Sequence, residues 1–333
     1  MNFSLKKIIK KRIFIIAEIG INHNGNFNKC KKLINLAAKS GADAVKIQTI
    51  NPEESYHPSS PSYKVFQNKD FSVLELMRLN NFAKSKKIIF FSTPGDISSL
   101  NKLIKAKINL FKISSGLLTN IPLIEKISKL GKPIILSTGM AIEDDIDLAA
   151  KKLKNNEFYI LKCTSIYPPL DENLNLNSIN YLKKKYNRIC GFSDHTKDDL
   201  AATTAATNGA RIIEKHFKIS KNDKCPDAEI SMDPINFQKM CFKIRRIEKM
   251  LGNNEFSSTI KELKLRELNH RYIFSAKNLY PGDVINMDNI NFKRSNLNVK
   301  KIQPKKYKSI LNKKVKKFIK INTPIKMSYL NVK

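Results

Sequence analysis

From Ile13 to Leu251 short apolar runs alternate with longer amphipathic stretches. The runs Ile13–Ile19, Ala42–Gln48, Ile88–Ser92, Leu110–Ser114, Pro133–Ser137, Phe158–Cys163, Ile189–Ser193 and Arg211–Glu214 read as buried strands. A stretch with helical periodicity follows each: Lys29–Ser40, Ser72–Ser85, Ile97–Ala106, Ile121–Leu130, Glu143–Leu153, Leu176–Tyr186, Asp199–Asn208 and Pro234–Leu251. The punctuation agrees. Gly41, Gly131 and Gly209 fall where helix C-caps turn left-handed, and Pro122 and Pro234 fall in first turns, where a missing N–H costs little. Eight such units over about 250 residues predict an α/β fold of the (β/α)8 TIM-barrel type. A doubly wound sheet competes, but the chain has no Gly-x-Gly-x-x-Gly turn.

From Asn269 the pattern changes to short β-like segments: Tyr272–Ala276, Asp283–Ile285, Ile290–Lys293, Val315–Ile321 and Ile325–Tyr329. The stretch Ala276 to Ile290 is echoed by Phe318 to Leu330, as if one strand–turn–strand unit were used twice. The expected division is a barrel at 1–255, a linker at 256–270 and a small β-rich domain at 271–333. About 60 residues are marginal alone, so docking on the barrel or on a second subunit is expected.

Composition narrows the function class. The net charge is +32, which invites a polyanion-binding reading. The excess is mostly Lys spread over the whole chain, however, and no basic tract is interleaved with aromatic stacking residues, so specific nucleic-acid binding is not expected. No run approaches a membrane span. The basic N-terminus lacks a signal-peptide apolar core, and the five scattered cysteines form no Cys-x-x-Cys pair. A cytoplasmic protein with reduced thiols is the expectation.

Barrel active sites lie on the loops at the C-terminal ends of the strands, and polar residues collect there. Glu18 ends the first strand, Lys46 and Gln48 the second, Thr93 the third, and Lys112, Ser114 and Ser115 the fourth. Ser137 and Thr138 close the fifth, Thr164, Ser165 and Tyr167 the sixth, Ser193, Asp194 and His195 the seventh, and Glu214 and His216 the eighth. If the last two strands are neighbours, His195 and His216 emerge at one end about 5 Å apart, a spacing that suits two ligands of one divalent metal. Lys46, Lys112 and the hydroxyls suit a small compound bearing carboxylate and phosphate, and a metal beside them would polarise a carbonyl. Such a basin fits addition of a phosphorylated, carboxylate-bearing carbon nucleophile to an aldehyde.

The ordered motifs resemble the sialic acid (N-acetylneuraminate) synthase family, which includes the legionaminic and pseudaminic acid synthases. They are Ala17-Glu-Ile-Gly-Ile-Asn-His-Asn-Gly25, Gly41-Ala-Asp-Ala-Val-Lys-Ile-Gln-Thr49, Phe91-Ser-Thr-Pro94, Phe111-Lys-Ile-Ser-Ser-Gly116 and Ile135-Leu-Ser-Thr-Gly-Met140. Cys163-Thr-Ser-Ile-Tyr-Pro168, Gly191-Phe-Ser-Asp-His-Thr196, Ile213-Glu-Lys-His-Phe217 and Pro226-Asp227 complete the series, and the C-terminal part resembles the antifreeze-like (SAF) module of these synthases.

The resemblance implies condensation of phosphoenolpyruvate with an open-chain N-acetylated hexosamine. That acceptor is N-acetylmannosamine or a related 2,4-diacetamido-6-deoxy sugar; the product is a nine-carbon 2-keto-3-deoxy acid, with phosphate released by C–O cleavage. It implies that His195 and His216 hold a divalent metal, typically Mn²⁺ with Mg²⁺ or Co²⁺ as substitutes, and act with Glu18 and Asp194 in catalysis. Lys46, Thr93, Lys112, Ser115, Ser137 and Ser193 would line the phosphoenolpyruvate pocket, with Gln48, Ser165, Tyr167 and Glu214 completing the substrate site. Arg294 would reach the partner's site in a domain-swapped homodimer. Three positions depart from the family pattern: Leu117 stands where an acid is usual, Ala228 where a His follows Pro-Asp, and Ser295 where a Pro follows the arginine. Two further readings are a barrel synthase using a sugar-phosphate aldehyde and a basic binding protein that has lost catalysis.

Overall fold

The computed structural model describes residues 4–253, 255–297 and 301–331. The chain forms two compact units, Met1–Gly252 and Asn253–Lys333.

In the first unit eight parallel strands close into a barrel in chain order. They are β1 (Phe14–Gly20), β2 (Ala44–Thr49), β3 (Ile89–Pro94), β4 (Phe111–Ile113), β5 (Ile134–Ser137), β6 (Phe158–Cys163), β7 (Cys190–Asp194) and β8 (Ile212–His216). Closure is made by β8 on β1, with Phe14 opposite Ile212 and Glu18 opposite His216. Around the barrel run α1 (Leu5–Lys11), α2 (Phe27–Lys39), α3 (Pro52–Ser55), α4 (Pro61–Phe66), α5 (Val73–Ser85), α6 (Ile97–Lys105), α7 (Ile121–Ser128), α8 (Glu143–Lys152), α9 (Ser178–Tyr186), α10 (Leu200–Thr207) and α11 (Pro234–Leu251). Each strand and long helix falls within a few residues of its sequence-based position, because the apolar runs are buried on both faces and the helices on one.

Three helices of this unit were not anticipated. The sequence reading treats the N-terminus only as a basic stretch, yet α1 buries Leu5 and Ile9 in the barrel core. The Arg211 guanidinium donates to the Ile9 carbonyl, and the Lys6 N–H donates to Glu157 at 3.1 Å, so α1 sits by the N-terminal ends of β8 and β6. Helices α3 and α4 lie between β2 and α5; at four and six residues they are too short to show a period, and each starts on a proline.

Gly191 in β7 has no room for a side chain. A Cβ there would stand 2.3 Å from the Ile212 carbonyl oxygen of β8 and 2.7 Å from Leu161 of β6. The two strands that end in the histidines are therefore packed backbone to backbone.

In the second unit the segment 256–270, expected as linker, carries α12 (Ile260–Asn269). Beyond it β9 (Tyr272–Ser275) pairs antiparallel with β10 (Ile290–Lys293). The internal echo is a structural repeat. Leu279, Ile285 and Ile290 are buried in one copy, and Ile319, Ile325 and Leu330 in the other. Gly282 and Asn322 both take positive φ at the turn, and a 3₁₀ turn starts at Met287 in one copy and at Met327 in the other. Leu279 and Ile319 exchange reciprocal backbone hydrogen bonds of 2.8 Å where the copies meet. Among the described residues no helix is long and apolar enough to cross a membrane.

Candidate active site

The alternation of side chains along a strand decides which residues meet inside the barrel. In β8, Glu214 and His216 point inward and Lys215 outward; in β7, Ser193 points inward and Asp194 outward. The register then sets Lys46, Glu18 and His216 side by side across β2, β1 and β8, and Ser193 beside Glu214 across β7 and β8. These residues line a cavity of about 520 Å³ with Gln48, Lys112, Ser114, Ser115, Ser137 and Cys163, at the C-terminal ends of the strands.

The floor is a buried network of two lysines and two glutamates. Lys46 Nζ lies 3.0 Å from Glu18 Oε2 and 3.6 Å from Glu214 Oε1, which is also 3.6 Å from Lys112 Nζ. Lys112 donates to Ser137 Oγ at 2.6 Å, and Ser193 Oγ donates to Glu214 Oε1 at 3.0 Å. Burial works against every charge here, and the partners decide the balance. It raises the Glu18 carboxyl above the usual range despite Lys46. It would raise Glu214 too, but Lys112 and Lys46 hold that group down to about 2. Burial pulls the Lys46 ammonium down, yet Glu18 and Glu214 more than restore it. At Lys112 burial wins over Glu214 and leaves the ammonium below its ordinary value. Lys112 therefore gains most from an arriving anion.

The two imidazoles stand together at the rim, with ring centroids 5.3 Å apart and planes at 61°. His195 Nδ1 lies 2.8 Å from the Thr164 carbonyl, an acceptor, with Cys163 Sγ more distant at 3.9 Å, so Nδ1 carries the proton and Nε2 keeps its lone pair. Burial lowers His195 to about 3, with His216 adding to the effect. His216 is pulled down by burial but raised overall by the Asp227 carboxylate, 3.3 Å from its Nδ1. Apart from that carboxylate, His216 Nδ1 is buried with no partner. A neutral imidazole with a free lone pair beside a second imidazole and a carboxylate fits a divalent cation. Among the described residues no group of three or more His, Cys, Asp or Glu side chains has metal-ligand spacing. His195 and His216 are the residues that could hold such a cation.

Of the expected residues in the first unit, Asp194, Thr93 and Ser165 stand apart from the cavity lining, whereas Tyr167 is part of it. Asp194 points away: its Oδ2 pairs with Lys215 Nζ at 2.9 Å, both side chains fully buried, and its Oδ1 accepts from the Thr196 N–H. Alternation along β7 explains this, since a carboxylate between two inward residues must face outward. Thr93 is buried behind Lys46, whose Nζ reaches its Oγ1 at 3.4 Å. Ser165 supports Ser115, Oγ to Oγ 3.0 Å, and the two hydroxyls fill the space a Cβ at Gly139 would need. Arg294 is exposed just beyond β10 in the second unit. Tyr167 stacks on His195 with centroids 4.2 Å apart.

Sequence reasoning passed over Asp227 as a site residue, along with Ile21, Ser62, Val65, Phe66, Cys163 and Pro226 on the walls. Asp227 lies in the long loop after β8, where no period signals a direction. Asn22 supplies a link that could have flagged it: its side chain accepts from the Asp227 N–H and donates to the Phe217 carbonyl and Ser231 Oγ, tying the β1 and β8 loops together.

A closed (β/α)8 barrel with paired imidazoles above a lysine- and hydroxyl-lined cup defines a barrel enzyme for a small anionic substrate. Residues 33–256 match the NeuB family and residues 270–330 the SAF domain, and the chain belongs to the NeuB family, home of the sialic, legionaminic and pseudaminic acid synthases. It is 41% identical to an uncharacterised protein of Methanocaldococcus jannaschii over 91% of this chain and 90% of that one. It is 35% identical to the N,N'-diacetyllegionaminic acid synthase of Campylobacter jejuni, over 85% of this chain and 91% of that one. The crystal structure of the N-acetylneuraminic acid synthetase of Leptospira borgpetersenii, in complex with citrate, superposes with a TM-score of 0.73 at 34% identity, covering 77% of this chain and 91% of that one.

Proposed function

We propose that this chain condenses phosphoenolpyruvate with the open-chain aldehyde of an acetamido hexose, giving a 2-keto-3-deoxy nonulosonic acid and phosphate. The observation that carries this is the meeting, in one cavity, of the His195–His216 pair with the Lys46–Lys112 floor. Lys112, its charge underserved by its neighbours, and Lys46 take the anionic groups, with Ser115, Ser137 and Ser193 donating beside them. Membership of a family of nonulosonic acid synthases supports the same reading.

A divalent metal, Mn²⁺ by preference, would be held by His195 and His216 and would supply Lewis-acid polarisation of the aldehyde. The chain's own residues do the rest. Carbon 3 of phosphoenolpyruvate forms the new bond to the aldehyde carbon, whose oxygen takes a proton. Glu18, raised by burial, is the buried carboxyl placed to hold that proton, next to Lys46 and across the strands from His216. Water adds at carbon 2, and the C–O bond to phosphate breaks. Asp227 holds His216 in place through its Nδ1. The second unit, with Arg294 exposed, would serve the partner's site in a homodimer.

Incubation with phosphoenolpyruvate, Mn²⁺ and a panel of acetamido hexoses should release one phosphate per keto acid formed. Silence with N-acetylmannosamine and with the 2,4-diacetamido-6-deoxy sugars would overturn the reading.

A further inference from the structure

The two imidazoles are carried differently. His216 ends β8 inside the ladder, opposite Glu18 of β1, and its carbonyl accepts from the Met232 N–H at 2.8 Å. His195 lies one residue past the ladder. The pairing of β7 with β6 stops at Ser193, opposite Cys163, and its pairing with β8 stops at Asp194, opposite Lys215. The Thr164 carbonyl fixes how the His195 ring is turned, and acts on the ring rather than on the backbone beneath it.

That backbone is tied from the outer face of the barrel wall. Alternation along β8 sends the Lys215 side chain outward, between two residues that face the cavity. Its ammonium is fully buried and has three protons for three acceptors: Asp194 Oδ2 at 2.9 Å, Thr196 Oγ1 at 3.2 Å and the Thr196 carbonyl. Asp194 Oδ1 accepts from the Thr196 N–H at 2.8 Å, which closes the turn around His195. The residues before and after His195 are thus fastened to the residue before His216. A buried ion pair adds little net stability, because taking both charges out of water offsets their attraction. What a fully partnered ammonium does supply is one fixed geometry.

Building on the reading of the imidazole pair as the holder of a divalent cation, we propose that Lys215 is a positioning residue. Through Asp194 and Thr196 it sets the distance of His195 from His216, while standing outside the cavity lining itself.

The test replaces Lys215 and Asp194 together, because Lys215→Met alone would leave a buried carboxylate unpaired. In the double variant Asp194→Asn with Lys215→Met, the asparagine keeps an acceptor for the Thr196 N–H and only the tie to β8 is cut. Tm, Mn²⁺ affinity of the metal-stripped protein by electron paramagnetic resonance, and steady-state kinetics are measured on one preparation. Tm should stay within about 5 °C of wild type. Mn²⁺ binding should weaken about tenfold or more. The kcat should fall about tenfold or more with KM for phosphoenolpyruvate unchanged, since Lys46 and Lys112 stand on other strands. A folded double variant with wild-type Mn²⁺ affinity overturns the inference and leaves the synthase reading standing. A double variant that melts below the assay temperature shows that the pair serves the fold, and overturns the inference as well. A wild-type chain that binds no Mn²⁺ removes the cation reading and the inference with it. One that binds Mn²⁺ but releases no phosphate with any acetamido hexose overturns the synthase reading alone.

Discussion

His23 sits in the β1–α2 loop, fully buried against Phe71 with ring centroids 4.6 Å apart, and its Nδ1 accepts from the Gly25 N–H. Burial, with Lys29 and Lys69 nearby, lowers the imidazole from 6.5 to about 4. A base whose folded pKa is depressed binds its proton first in the unfolded chain. Stability should therefore be complete above pH 6.5 and fall as pH drops toward 4, by about 3 kcal/mol from this residue alone. Urea unfolding at a series of pH values should show this limb flattened in His23→Leu; equal slopes in both proteins would remove His23 as its source. Legibility at this scale follows the same physics. His195 and His216 were readable because each ends a strand at the same rim. Asp194 was misplaced because one residue of register reverses a side chain's face, and Asp227 was missed because a loop carries no such rule.

Among the elements, β7 and β8 carry the site, and Gly191 is where they touch. Gly191→Ala must push apart the Ile212 backbone and the Leu161 side chain, and should cost about 2–3 kcal/mol and reduce turnover together. Thermal unfolding and phosphate release measured on one preparation check this, and wild-type values in both would contradict the close packing. Strands and long helices were legible because burial stamps a period on them. The short α3 and α4 were not, since neither completes two turns, although α4 supplies one wall of the cavity. The linker expectation at 256–270 met a helix whose described residues are exposed throughout, so no apolar face announced α12.

At the scale of the molecule, the chain carries a net charge of +32, and the first substrate of the proposed reaction is an anion. The summed field should raise the encounter rate with phosphoenolpyruvate, and kcat/KM for that substrate should fall several-fold between about 20 and about 300 mM salt. The KM for the neutral sugar should stay constant; equal salt dependence of both would show that the charge plays no part in capture. The small unit's duplicated half was visible in the sequence because both copies keep the same apolar spacing around a left-handed turn residue, Gly282 in one and Asn322 in the other. The proposed reaction joins these scales: a cup takes an enol phosphate whose carbon, not its phosphorus, takes part in bond making and breaking. Phosphoenolpyruvate labelled with ¹⁸O at the bridging position tests this directly. Mass spectrometry should find the label in the released phosphate and unlabelled oxygen from water at carbon 2 of the keto acid. Label retained in the keto acid, or labelled phosphate without any nine-carbon product, would contradict the account.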